Sequence, residues 1–308
     1  MNKKIAVIGA GNVGAACAQY LAEANLADIV LVDILDGIPQ GKALDLTQAG
    51  PVRGYNSRVT GSTDYKDIAG ADIVVMTAGL ARKPGMTRED LLTKNAEIVG
   101  SAAENIKKHA PKAFVIVVSN PLDLMTFHMQ KVTGFPTNRV FGQAGVLDSI
   151  RFRTFVAMEL GVAVTDTQAM VLGGHGDTMV PLPRYTTVSG VPISELIAAD
   201  RIKAICDRTA DGGGEIVRLL KSGSAYYAPA AASVDMVKAV FSDEKRVLAA
   251  SAHLTGQYGI KEIYIGVPVV LGANGPEKVL ELKLDKDELG ALQKSAATYK
   301  EHLKILGY

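Results

Sequence analysis

The sequence predicts an α/β protein: a Rossmann-type, doubly wound parallel sheet followed by an α+β domain. Three observations carry that prediction. Four short runs rich in Val and Ile (4–8, 28–32, 72–77 and 114–119) lack the polar alternation of a half-solvated strand, so they read as strands covered on both faces. Stretches of helical length and pattern separate them (13–24, 37–48, 88–109 and 122–132), as parallel strands require of their crossovers. Beyond about residue 145 this alternation gives way to longer helices and a different strand pattern.

Each element follows in order. Residues 58–61 and 139–142 are weaker strand candidates that complete the first sheet. A helix over 148–160, a strand over 163–172, helices over 195–220 and 230–241, and a strand over 261–271 fill the second half. A turn is expected at Gly272-Ala273-Asn274-Gly275. Asp285 and Glu288 form a capping pair, after which Leu289, Leu292, Ala296, Tyr299, Leu303 and Leu306 recur at steps of three and four. That single seam suits packing on the domain's own core better than a coiled coil. A chain of 308 residues is long for one core, which suggests two domains, residues 1–144 and 145–308.

Composition excludes several classes. Lys and Arg number 33 against 32 Asp and Glu, so no bulk field draws the chain to nucleic acid or an anionic membrane. Anion binding must rest on a few placed charges. Cys17 and Cys206 have no metal-ligand spacing and read as reduced thiols of a cytoplasmic protein, with no metal site expected. Lys3-Lys4 and the apolar residues after them superficially resemble a secretory signal. Three glycines and Asn12 interrupt that stretch, which fits a strand, turn and helix start instead. No run reaches the length of a membrane span.

The turn after the first strand is Gly9-Ala10-Gly11-Asn12-Val13-Gly14. A lone GxGxxG is weak, but here it follows a strand and opens a helix. Gly9 permits the tight turn, Gly11 lets a pyrophosphate approach the backbone, and Gly14 lets helix and strand pack closely. Helix-terminal amides then face the phosphates. Asp33 closes the second strand, where its carboxylate would accept ribose hydroxyls and repel a 2′-phosphate, so NAD is expected rather than NADP. A turn or cap role for Asp33 is the competing account.

Of the five histidines, only His175 sits between glycines, in Gly173-Gly174-His175-Gly176-Asp177; His109, His128, His253 and His302 read as solvated surface. An imidazole can accept a hydroxyl proton near neutrality. Asp148 is the candidate to orient it, and Arg151, one helical turn on, could grip a carboxylate with two parallel bonds. From spacing alone, an exposed ion pair of little consequence is the better reading of Asp148 and Arg151. A third cluster, Ala78-Gly79-Leu80-Ala81-Arg82-Lys83-Pro84-Gly85-Met86-Thr87-Arg88, follows the 72–77 strand at the sheet edge where such folds bind ligands, and its three cations suit an anionic ligand. Taken by itself it reads better as a solvated basic turn, and Lys83 and Met86 stay with that reading. Ser119-Asn120-Pro121 ends the strand over 114–119, with Asn120 offering a donor and an acceptor.

In order and spacing these motifs resemble the lactate/malate dehydrogenase superfamily, and within it the lactate-dehydrogenase-like malate dehydrogenases of bacteria. The resemblance spans essentially the whole chain: GAGNVG at 9–14, Asp33, ARKPGMTR at 81–88, Lys94-Asn95-Ala96, SNPLD at 119–123, GVLDSIRFR at 145–153 and GGHGD at 173–177. It implies reversible NAD-dependent oxidation of (S)-malate to oxaloacetate, a place in the tricarboxylic acid cycle, and a homodimer or homotetramer. Lactate or another 2-hydroxy acid is the alternative substrate. It further implies that His175 accepts the proton and Asp148 orients it. Arg151 would clamp the carboxylate next to the reacting carbon, Arg88 polarise the carbonyl and Asn120 hold the substrate oxygen. Asn95, Val118, Ser119 and Asn120 would touch NAD. Arg82 would pair with the second carboxylate, where lactate dehydrogenases carry an uncharged glutamine. Residues 80–90 would close as a lid, the Asn120-Pro121 bond would be cis, and Ser224 or Ala225 would face the substrate.

Overall fold

The Val- and Ile-rich runs form the inner strands of one sheet, in a computed structural model that describes residues 3–80 and 87–308. In chain order the regular elements are β1 (Lys4–Ile8), α1 (Asn12–Glu23), β2 (Asp28–Val32), α2 (Ile38–Arg53), β3 (Val59–Ser62), β4 (Ile73–Met76), α3 (Arg88–His109), β5 (Phe114–Val117), α4 (Leu122–Thr133) and β6 (Val140–Gly142). There follow α5 (Gly145–Leu160), β7 (Thr167–Gln168), β8 (Val171–Gly173), β9 (Met179–Pro181), β10 (Thr187–Val188), β11 (Val191–Pro192), α6 (Ala199–Leu220), α7 (Tyr227–Phe241), β12 (Arg246–Thr255), β13 (Lys261–Gly272), β14 (Gly275–Val279) and α8 (Lys286–Ile305).

The first six strands lie in the order β3-β2-β1-β4-β5-β6, all parallel. Ile5 pairs with Ile29 on one side and Ile73 on the other, so order reverses across β1 and β4. That reversal opens the crevice in which doubly wound sheets bind ligands. Ile5, Ala6, Val7 and Ile8 are at most 1% exposed, as burial on both faces demands.

The sheet does not stop at β6. Gly142 pairs antiparallel with Ser251 of β12, and β13, β8 and β9 continue the layer. Neither β12 nor the small β7-β10-β11 sheet was expected from sequence. The strand expected over 163–172 is broken: Val164–Asp166 forms a 3-10 turn, leaving only the short β7 and β8. The second helix runs past Gln48 to Arg53, through Pro51, and stops where Gly54 adopts a left-handed φ of 76°. Asp285 caps α8 reciprocally with Glu288, as its sequence predicts. No helix among the described residues is long and apolar enough to cross a membrane.

Candidate active site

Clearance shapes the turn between β1 and α1. Gly9 has φ 101°, and a Cβ there would lie 2.7 Å from the Ala78 nitrogen. A Cβ on Gly14 would stand 1.8 Å from the Gly9 carbonyl oxygen, so helix and turn touch through backbone alone. Gly11 differs: nothing lies within 4 Å of its Cβ position. It is the N-cap of α1, no side chain caps that end, and no acid occupies the first turn. Open space, unopposed helix amides and exposed Asn12 fit a pyrophosphate.

Asp33 sits at the end of β2 and braces this turn. Its Oδ2 accepts the Ala10 N–H at 2.6 Å and its Oδ1 accepts the Leu35 N–H at 3.1 Å. A carboxylate offers about four lone pairs, so two bonds leave capacity for ribose hydroxyls. The competing turn role and the ribose role are therefore compatible.

Across the crevice, the Ser119 hydroxyl donates to the Ala78 carbonyl at 2.6 Å, tying the β5 end to the β4 end. Asn95 is fully buried on α3: its amide donates to the Asn120 carbonyl at 2.6 Å and the Leu80 carbonyl at 3.1 Å, and accepts the Leu80 N–H at 2.7 Å. It holds the two loops in place and is not itself at the surface. Val118 is half-buried and Asn120 exposed, and the Asn120-Pro121 bond is cis.

The decisive geometry is at α5. Asp148, with a side chain 2% exposed, reaches two partners: Oδ2 lies 2.9 Å from Nδ1 of His175 and Oδ1 lies 3.2 Å from Nη1 of Arg151. The Arg151 side chain is only 13% exposed, so the pair is not the solvated i,i+3 contact that spacing alone allows. With Nδ1 held by a carboxylate, the neutral imidazole keeps its proton there and leaves Nε2 as acceptor. Burial on its own would lower the His175 pKa; the charge and hydrogen bond of Asp148 outweigh it, and the net shift is upward. A cleft of about 480 Å³ has His175, Asn120, Thr178 and Tyr299 in its walls.

Residues 3–142 match the family model for the lactate/malate dehydrogenase NAD-binding domain, and residues 145–306 that for the lactate/malate dehydrogenase alpha/beta C-terminal domain. The chain belongs to the lactate/malate dehydrogenase family. A malate dehydrogenase of Thermomicrobium roseum is 59% identical over 306 residues, 99% of each chain. A solved malate dehydrogenase from Salinibacter ruber superposes with TM-score 0.95 at 50% identity, covering 99% of this chain and 97% of its own. A lactate dehydrogenase from Cryptosporidium parvum, solved with lactic acid and nicotinamide adenine dinucleotide, superposes with TM-score 0.96 at 47% identity, covering 100% and 98%. Within the lactate/malate dehydrogenase family, then, the backbone does not choose the substrate; side chains must.

Arg82, the side chain expected to make that choice, lies outside the described residues, as does the side chain of Arg88, whose backbone opens α3. Ser224 is exposed and Ala225 half-buried between α6 and α7. Two histidines depart from the sequence reading. His128 is half-buried between the Ala96 carbonyl at 3.0 Å and the Tyr308 hydroxyl at 2.7 Å, and the His253 side chain is 14% exposed. Burial lowers the pKa of both. His128 on α4 and His253 on β12 pack against neighbours rather than water.

Three supports of this site carry no local sequence signature of that role. The Tyr299 hydroxyl of α8 donates to the His175 carbonyl at 3.1 Å. Asp123 of α4 accepts the His175 N–H at 2.8 Å. Gly212 and Gly213 of α6 border the Arg151 side chain. Three consecutive glycines inside a helical stretch, each unfavourable there, are a readable anomaly but do not name that role.

Proposed function

We propose that this protein is an NAD-dependent dehydrogenase that interconverts (S)-malate and oxaloacetate, with His175 as its acid and base. The observation that carries this is the single carboxylate of Asp148 held by both His175 and Arg151. One group thereby registers the proton acceptor against the carboxylate clamp.

In the oxidative direction, Arg151 grips the carboxylate beside the reacting carbon with parallel N–H bonds. Nε2 of His175 takes the proton of the C2 hydroxyl, and Asp148 stabilises the imidazolium that results. NAD, when bound, would supply the acceptor for the hydride of C2. Gly9, Ala10, Gly11, Asn12, Val13 and Gly14 would hold its pyrophosphate, Asp33 its ribose, and Val118, Ser119 and Asn120 its nicotinamide end. Asn95 serves through the Leu80 and Asn120 segments it fixes. Arg88 polarises the carbonyl, Asn120 holds the substrate oxygen, and Arg82 meets the second carboxylate. An arginine buried against pyruvate would lack a counter-charge, at a cost on the order of several kcal/mol.

The division at residues 144/145 is supported by the change from parallel to antiparallel pairing between β6 and β12. A homodimer or homotetramer is supported by apolar surface left exposed around Leu219, Leu220 and Tyr227. The free state of Cys17 and Cys206 suits the cytoplasm.

The variant His175→Asn tests the mechanism. It should lose roughly 10²–10⁴-fold in kcat for oxaloacetate reduction while still binding NADH by fluorescence. Full activity in this variant would remove His175 from the reaction.

A further inference from the structure

His175 is gripped at more points than a catalytic side chain alone requires. Asp148 holds its ring, Tyr299 its carbonyl, and the Gly174 N–H just before it donates to Ser295 of α8 at 3.0 Å. A Cβ on Gly174 would lie 2.0 Å from the Tyr299 ring, so the turn is pressed directly against that helix. The remaining grip is a carboxylate. Asp123, 1% exposed in the first turn of α4, accepts the His175 N–H with Oδ2 at 2.8 Å and the Ser251 hydroxyl with Oδ1 at 2.6 Å.

Neither partner is a cation. A neutral side chain with one acceptor would satisfy the same two bonds without burying a charge. The first turn of α4 favours an acid, but that explains only the end of the helix, not why the oxygen is aimed at the backbone of the histidine.

We propose that Asp123 is a positioning residue for His175: it pins the histidine's backbone while Asp148 pins its ring, and it adds a second negative charge that favours the imidazolium. This rests on the reading of His175 as the base. Among the described residues, the charged and titratable groups facing the pair are Asp148 and Arg151 of α5 and Tyr299 of α8, with Asp177 acting on Tyr299. Within this described set, Asp123 and Asp148 place two carboxylates against the guanidinium of Arg151, an excess that favours a protonated imidazole. Burial pushes the Asp123 pKa up to about 6, with the Ser251 and His175 hydrogen bonds opposing it. The second charge is therefore present at neutral pH and fades in mild acid.

The variant Asp123→Asn keeps the shape and the acceptor but removes the charge. Titration of the His175 ring by NMR in the ligand-free protein should move to lower pH. The acid limb of kcat/KM for malate oxidation should move with it. At the alkaline plateau kcat should fall by less than the roughly 10²-fold that loss of the base would cause. A merely structural aspartate would lower Tm and leave both curves in place, and that result overturns the proposal. Should Asp123→Asn fail to fold, Ser251→Ala removes the donor that favours the ionised form. The His175 titration should then move the same way by less, and an unmoved curve is again contrary. Absence of malate oxidation by the wild type would defeat the proposed function instead, since the NMR titration needs no substrate.

Discussion

Gly212 makes room for Arg151: a Cβ on Gly212 would lie 3.1 Å from Cδ of Arg151, and one on Gly213 would lie 3.4 Å from Nη2. Glycine in a helix interior costs about 1 kcal/mol relative to alanine, so three in succession weaken α6 where it borders the carboxylate clamp. Two ion pairs span the weak segment, Arg208 with Glu215 at 2.8 Å and Arg218 with Asp211. Both are solvent-exposed and add little individually.

Replacing Gly212 by alanine should therefore separate stability from function. Helix propensity predicts an unchanged or higher Tm, while displacement of Arg151 should raise KM for oxaloacetate roughly tenfold, about 1.4 kcal/mol of a charge-assisted contact. Steady-state kinetics and a thermal melt decide it. A higher Tm with unchanged KM would mean that the clearance serves no clamp.

The cofactor turn offers a matched contrast. Gly14→Ala forces a Cβ to within 1.8 Å of a backbone oxygen, an overpacking on the order of 3 kcal/mol that should lower Tm by several degrees. Gly11→Ala meets no protein atom within 4 Å, so its Tm should hold while Kd for NADH rises tenfold or more. Equal effects of the two substitutions on Tm would deny that Gly11 faces the ligand.

Stability should carry the signature of Asp123. Its folded pKa is raised from 3.8 to about 6, so over that interval the folded protein keeps a proton the unfolded chain has released. The resulting stabilisation is complete below the unfolded value and is lost as pH rises to about 6, on the order of 3 kcal/mol at most. The raised pKa of His175 acts in the same sense: its contribution is full below the unfolded value and disappears as pH rises through the folded one. Urea unfolding of the wild type and Asp123→Asn between pH 4 and 7 should give curves that diverge, the wild type losing ground as pH rises. Parallel curves would contradict the buried charge.

The sequence was most legible where local pattern and tertiary role coincide. The β1 and β2 strands and the α3 helix occupy the spans that their residues predict, because Val and Ile runs suit a doubly covered strand and the α3 stretch keeps helical spacing. The long strand β12 escaped notice since Ala249-Ala250-Ser251-Ala252 lacks β-branched residues. It is a strand because β6 and β13 flank it. The site divides similarly. Gly9 to Gly14 and His175 announce themselves by neighbours in sequence. Asp123, Tyr299 and Gly212 matter through what packs against them, and no local spacing encodes that.

The central claim, a dehydrogenase that uses NAD and prefers a dicarboxylate, is tested most directly by initial rates with oxaloacetate and pyruvate, each with NADH and NADPH. The predicted result is a kcat/KM for oxaloacetate with NADH several orders of magnitude above that for pyruvate, with NADPH inferior and with Arg82→Gln collapsing the preference, because an unpaired buried charge rejects the smaller substrate. Equal or better turnover of pyruvate by the wild type, or a kcat/KM with NADPH that matches NADH, would contradict it.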